Sequence, residues 1–234
     1  MARTALYFDL MGTLIDPRSD VDAHYNIARR IIDMYGLEDD PSRLWAEVSR
    51  IVEELTRDRH ISFVPFREAY MAAFSKVLMQ RGHVLTRKER ERLWRLFIDM
   101  HARHLRPMPM AGEVLELSRG KFDHLGVITD SSTDEVNAVL RSLGISHFFD
   151  SITTSDEAGV GKPNPRIFRL ALSKAGFPPH AFYVGDDPFR DLKGAKDAGF
   201  FVILVGDAES PIRPDARVKN LVSLMDLISG LRLP

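Results

Sequence analysis

The stretch Ala5-Leu6-Tyr7-Phe8-Asp9-Leu10-Met11-Gly12-Thr13 decides the reading of this chain. Four apolar residues in a row predict a buried strand, and the run ends in a carboxylate. Gly12 and Thr13 then permit a tight turn. An aspartate at the carboxyl end of a parallel strand faces the crevice where open α/β sheets bind ligands. Met11 stands where hydrolytic chemistry would use a second carboxylate.

Beyond this strand the pattern turns helical. Ile27, Ile31, Met34 and Tyr35 recur at helical spacing. Asp40-Pro41 places a capping side chain before a proline at the first helical position, and Leu44, Val48, Ile51, Val52 and Leu55 form the stripe that follows. Phe66, Tyr70, Ala73, Phe74 and Val77 mark a third helix. Thr86 and Glu89 form a capping box ahead of a fourth, which carries Leu93, Leu96, Phe97 and Met100. Pro107 and Pro109 end the pattern.

After the prolines the period changes. Strands are predicted over 122–129, 148–154, 182–184 and 200–205, and helices from Thr133 to near Gly144, over 165–176 and over 192–199. Strands alternating with helices of about ten residues imply βαβ units and a parallel sheet. The expected fold class is α/β: a doubly wound, Rossmann-like parallel sheet core from residues 1–16 and 106–234, with an α-helical cap inserted over 17–105.

The 234 residues carry 32 basic and 33 acidic side chains, a net charge of −1. That balance gives no bulk electrostatic case for nucleic acid or an anionic membrane. Cysteine is absent, which excludes disulfides and thiolate chemistry. No secretory leader is visible, nor an apolar run of the roughly 20 residues that span a bilayer. The expectation is a soluble cytoplasmic protein, monomer or homodimer, without nucleic-acid or membrane partners.

Three predicted strands end in polar residues: Asp9, then Thr129-Asp130-Ser131-Ser132, then Asp186-Asp187. In a doubly wound sheet such ends converge. Two carboxylates at adjacent strand ends suit Mg²⁺, which takes one or two carboxylates, substrate phosphate oxygens and waters. Lys162, on a loop bounded by Gly161 and Pro163, can offer positive charge to a phosphate. Thr129 can donate a hydroxyl hydrogen bond, and the turn amides after Asp9 and Thr129 can donate likewise.

Together these pieces resemble the haloacid dehalogenase-like hydrolase superfamily. Its ordered motifs find counterparts in Asp9-Leu10-Met11-Gly12-Thr13, in Thr129, in Gly161-Lys162-Pro163, and in Gly185-Asp186-Asp187-Pro188-Phe189-Arg190-Asp191, with Gly194 to Gly199 downstream. The resemblance implies that Asp9 is a nucleophile forming an aspartyl-phosphate. It implies that Asp9, the backbone carbonyl of Met11 and Asp186 hold Mg²⁺, and that Asp191 supports the metal from behind. Thr129 and Lys162 would bind the phosphoryl group, alongside Met11, Gly12 and Asp130 in the substrate pocket.

Met11 departs from the family pattern, whose second aspartate protonates the leaving oxygen and later activates water. A thioether does neither, and general acid–base catalysis is worth about 10²–10⁴-fold. Asp130 is a candidate substitute, and a turn cap in its bland reading. The leading expectation is a Mg²⁺-dependent phosphohydrolase of a small phosphorylated metabolite, slow or atypical because of Met11. The alternatives are a haloacid dehalogenase or phosphonate hydrolase with the same nucleophile, or a catalytically weak phosphate-binding or regulatory protein. Dehalogenase chemistry is metal-free, against which Asp186 and Asp191 argue; the phosphonate version needs a cap lysine, for which Lys76 is the candidate.

Other conspicuous residues receive plain readings. Asp187 reads as a turn cap. His101 and His104 read as cap-surface or hinge residues rather than a metal pair, and Arg59 and His60 as a solvent-facing loop. Arg87 to Arg95 reads as a solvated face, and Trp45 and Trp94 as packing residues.

Overall fold

The computed structural model describes residues 3–58 and 62–233; Arg59 and His60 lie outside the described residues. The chain runs β1 (Thr4–Phe8), α1 (Pro17–Tyr35), α2 (Pro41–Thr56), α3 (Phe66–Met79), α4 (Arg87–His104), α5 (Ala111–Arg119), β2 (His124–Thr129) and α6 (Thr133–Ser142). It continues through β3 (Ser151–Thr154), α7 (Ser155–Ala158), α8 (Pro165–Lys174), β4 (His180–Gly185), α9 (Lys193–Asp197), β5 (Phe201–Val205), β6 (Ala216–Val218) and α10 (Leu221–Gly230).

The six strands form one parallel sheet in the order β3-β2-β1-β4-β5-β6. This is the doubly wound α/β fold. The order reverses between β1 and β4, and the crevice at such a switch point is where these sheets bind ligands. β1 is apolar on both faces because both faces are covered. Leu6 and Phe8 join one core with Val127 and Val184, while Ala5 and Tyr7 join another with Ile128 and Tyr183.

Helices α1 to α4 pack on one another around a separate apolar cluster that includes Ile27, Leu44, Val48, Phe74, Trp94 and Phe97. Their starts follow the local chemistry. Asp16 and Asp40 accept from backbone N–H groups ahead of Pro17 and Pro41, and Thr86 and Glu89 complete the capping box. The cap at Asp16 starts α1 at Pro17, well ahead of the apolar stripe that begins at Ile27. Among the described residues no helix is long and apolar enough to cross a membrane.

Several predicted elements shift. The third strand is only Ser151–Thr154, because Ser146–Phe148 forms a 3-10 turn. The helix predicted over 192–199 is a π turn at Pro188–Leu192 that runs into α9. The helices α5, α7 and α10 and the edge strand β6 add to the alternation.

Candidate active site

Asp9 directly follows β1, and its N–H continues the sheet ladder by donating to the Val184 carbonyl at 2.9 Å. That bond sets the Asp9 carboxylate beside the end of β4, where Asp186 follows Gly185. The turn after Asp9 is tight. Gly12 has a φ of +85°, and a Cβ there would fall 2.2 Å from Asp186 Oδ2, so only glycine fits. Thr13 Oγ1 donates to Asp186 Oδ1 at 3.0 Å.

Lys162 is buried at the meeting point. Its Nζ lies 2.8 Å from Asp9 Oδ1 and 2.6 Å from Asp191 Oδ1. Tyr183 OH donates to the same Asp191 oxygen at 2.8 Å, and the Asp187 N–H donates to Asp191 Oδ2 at 3.0 Å. Asp191 is wholly buried with its partners around it. Gly185 permits this, since a Cβ there would fall 2.3 Å from Asp191 Oδ2.

One carboxylate oxygen each from Asp9, Asp186 and Asp191 lies within 4.8 Å of the others. Three acids and one lysine leave the group short of positive charge. Burial pushes the Asp9 carboxyl up to about 7; Lys162 opposes the rise, while Asp191 and Asp186 add to it. Asp186 is likewise raised, by burial first and then by Asp191. Lys162 is held above its ordinary value because Asp191, Asp9 and Asp130 outweigh the cost of its burial. Carboxylates that repel one another at the floor of a crevice fit a divalent cation, and Asp9 and Asp186 are the pair that meet Mg²⁺ donor chemistry.

Above this floor lies a cavity of about 320 Å³ lined by Asp9, Met11, Gly12, Thr129, Asp130, Lys162 and Asp186. The tertiary structure therefore brings the predicted site residues to one cavity, with Asp191 beneath it. Asp130 is tied down rather than free. Its Oδ1 accepts from the Lys162 N–H at 2.8 Å, and its Oδ2 lies 3.6 Å from Arg190 Nη1. Asp187 caps its turn by accepting from the Phe189 and Arg190 N–H groups. The exposed Lys76 does not line the cavity.

Several cavity residues were not read as site residues in the sequence. Arg190, which pairs with Asp187 at 3.0 Å, adds a second cation. The helices contribute Asp20 and His24 from α1, His101 from α4, and Phe66 and Tyr70 from α3, while Glu135 comes from α6. The surface reading of His101 is corrected: it is 2% exposed, and its Nδ1 lies 2.5 Å from Glu135 Oε1. Burial pushes His24 down to about 2, with His101 adding to the effect, so His24 is neutral. Burial also raises Asp20 to about 6, with His101 opposing and Glu135 adding to the rise. The i, i+4 spacing of Asp20 and His24 was a readable sign of a shared helix face.

Residues 4–199 match the haloacid dehalogenase-like hydrolase family. A glyceraldehyde 3-phosphate phosphatase of Methanothermobacter thermautotrophicus is 40% identical over 131 residues, which is 55% of this chain. The match spans 58% of that relative, little more than half its length. Among solved structures, the magnesium-bound HAD-hydrolase YfnB of Bacillus subtilis has a TM-score of 0.78 at 20% identity, covering 98% of this chain and all of that one. A 2-haloacid dehalogenase of Pseudomonas syringae pv. Tomato DC3000 has a TM-score of 0.74 at 26% identity, covering 97% and 98% of the two chains.

Proposed function

The chain belongs to the haloacid dehalogenase-like hydrolase family, and on that premise we propose that it is a Mg²⁺-dependent phosphohydrolase using Asp9 as nucleophile. The observation that carries the reading is the Lys162 Nζ to Asp9 Oδ1 contact of 2.8 Å at the switch point of the sheet. Residues 17–105 would act as the cap over the cavity and select a small phosphorylated substrate. The phosphatase names of curated relatives support this substrate class.

Asp9, the Met11 carbonyl and Asp186 would hold Mg²⁺, which supplies charge to the phosphoryl oxygens and keeps Asp9 ionised. Lys162, Thr129 and the turn amides bind the phosphoryl group. An Asp9 oxygen attacks phosphorus, and the bond to the leaving oxygen breaks. Water then attacks the aspartyl-phosphate, releasing phosphate and restoring the carboxylate. Asp191 positions Lys162 from below. Met11 cannot deliver the proton that an alkoxide leaving group needs, so substrates with acidic leaving groups should react best.

Asp9→Asn tests the reading. The folded variant should lose turnover of an aryl phosphate in saturating Mg²⁺, and more than a few per cent of residual activity would refute Asp9 as nucleophile. Met11 also favours a second reading, dehalogenation, because a halide leaves without a proton. Release of chloride from 2-chloropropionate without Mg²⁺, with no phosphatase activity, would select it.

A further inference from the structure

Four side chains that the phosphohydrolase chemistry leaves unused meet at the same cavity. Asp20 and His24 stand one turn apart on α1, His101 comes from the last turn of α4, and Glu135 from the first turn of α6. His101 Nδ1 lies 2.5 Å from Glu135 Oε1. With Nδ1 taken up by Glu135, Nε2 is the ring nitrogen left to face Asp20 and His24. His101 Nε2 lies 3.7 Å from Asp20 Oδ1, and His24 Nε2 lies 3.3 Å from the same oxygen. Among the described residues neither nitrogen has a hydrogen-bond partner, and neither does Glu135 Oε2, though all three atoms are buried. His101 and Glu135 are 2% and 4% exposed. Buried polar atoms without partners are uncommon enough to ask for an occupant.

The spacings suggest what the occupant is. Ligands about 2.0–2.2 Å from a tetrahedral ion lie about 3.3–3.6 Å from one another, close to the separations around Asp20 Oδ1. One donor atom from each of Asp20, His24 and His101 lies within 4.8 Å of the others. The Glu135–His101 bond is the kind that fixes the tautomer and direction of a metal-bound imidazole. Both rings are also held by packing: His24 stacks on Trp45 with centroids 4.1 Å apart, and Phe97 lies 4.1 Å from His101.

We propose that Asp20, His24 and His101 bind a divalent transition metal of the zinc type, oriented through Glu135, with one coordination position open to the cavity. Two imidazoles and one carboxylate favour such an ion over Mg²⁺, which prefers oxygen ligands. Three protein ligands leave a position for water or an anionic oxygen of the substrate. The site is separate from the carboxylates at Asp9 and Asp186, and it draws on residues of both the helical insert and the sheet core.

Chelator-stripped full-length protein titrated with Co²⁺ in excess Mg²⁺ tests the site by visible absorption and calorimetry. One equivalent should bind with the intense absorption of a four- or five-coordinate, imidazole-bearing ion, and Zn²⁺ should displace it. Asp9→Asn should leave that spectrum unchanged. His24→Ala and Asp20→Asn should each weaken binding at least about 100-fold, and Glu135→Gln about 10–100-fold. Circular dichroism checks each fold; Asp20→Asn, nearly isosteric, keeps the test decisive if His24→Ala unfolds. Only the weak spectrum of a six-coordinate oxygen site, or Co²⁺ binding indifferent to both substitutions, would overturn the proposal.

Discussion

Asp186 occupies the space that a side chain at Gly12 would fill: a Cβ at Gly12 would fall 2.2 Å from Asp186 Oδ2. The turn after the first strand and the acid after the fourth are therefore one fitted unit. This close approach brings the Asp186 carboxylate beside that of Asp9.

Gly12→Ala should consequently cost more than its backbone strain. The residue sits at a φ of +85°, and the methyl group must also displace Asp186. Gly36 has a φ of +60° with nothing within 4 Å of its virtual Cβ, and serves as the control. Gly36→Ala should lose about 1 kcal/mol of stability and keep its activity. Gly12→Ala should lose activity at least about 10-fold and need more Mg²⁺ for half-maximal rate. Equal kinetics for the two variants would show that the fit of Gly12 to Asp186 is unimportant.

Lys162→Met should be strongly destabilising. It leaves the Asp9 and Asp191 carboxylates buried without their shared cation, and breaking such a pair typically costs about 3–5 kcal/mol. Denaturant unfolding measures the loss. Mg²⁺ should restore more stability to this variant than to the parent, since it supplies charge to the same acids. A variant as stable as the parent would mean that the ion pair contributes little.

Met11→Asp should raise phosphatase turnover in saturating Mg²⁺. The new carboxylate would supply the acid–base step, worth about 10²-fold or more. The gain should be largest for alkyl phosphates, whose leaving oxygen needs a proton. An unchanged or lower rate in a folded variant would show that the cavity is built for methionine.

The metal-free protein should lose stability in mild acid through His24. Burial lowers its folded pKa to about 2, against an ordinary 6.5. The native state therefore keeps His24 neutral while the unfolded state takes up a proton below about pH 6.5. Stability from this group is complete above pH 6.5 and declines as pH falls from there toward 2, by up to about 1.4 kcal/mol per pH unit. His24→Asn should flatten the dependence of unfolding free energy on pH between 6.5 and 5. An identical slope in the variant would assign the acid sensitivity elsewhere.

Much of the core was legible because its signals are local. A buried parallel strand is a continuous apolar run, a capping box is four residues long, and a strand-end aspartate needs only its neighbours to be noticed. The start of the third strand was placed too early, at Phe148, because Phe148 and Phe149 look extended, while the chain turns over Ser146–Phe148 beside the buried Ile145. The edge strand β6 was missed because Ala216–Val218 has too little alternation to stand out.

The sequence by itself determined the α/β alternation, the all-helical stretch after the first strand, and the identity of Asp9, Thr129 and Asp186 as residues that strand ends would gather. It could do so because parallel strands share one direction, and their carboxyl ends must therefore share one edge. Only the tertiary structure decided that His101 turns inward to Glu135 and faces Asp20 and His24. Those residues sit on three helices, and their meeting depends on how α1 and α4 pack against each other and α4 against α6. Packing angles between helices arise from side-chain surfaces distant in sequence, so no local pattern announces them.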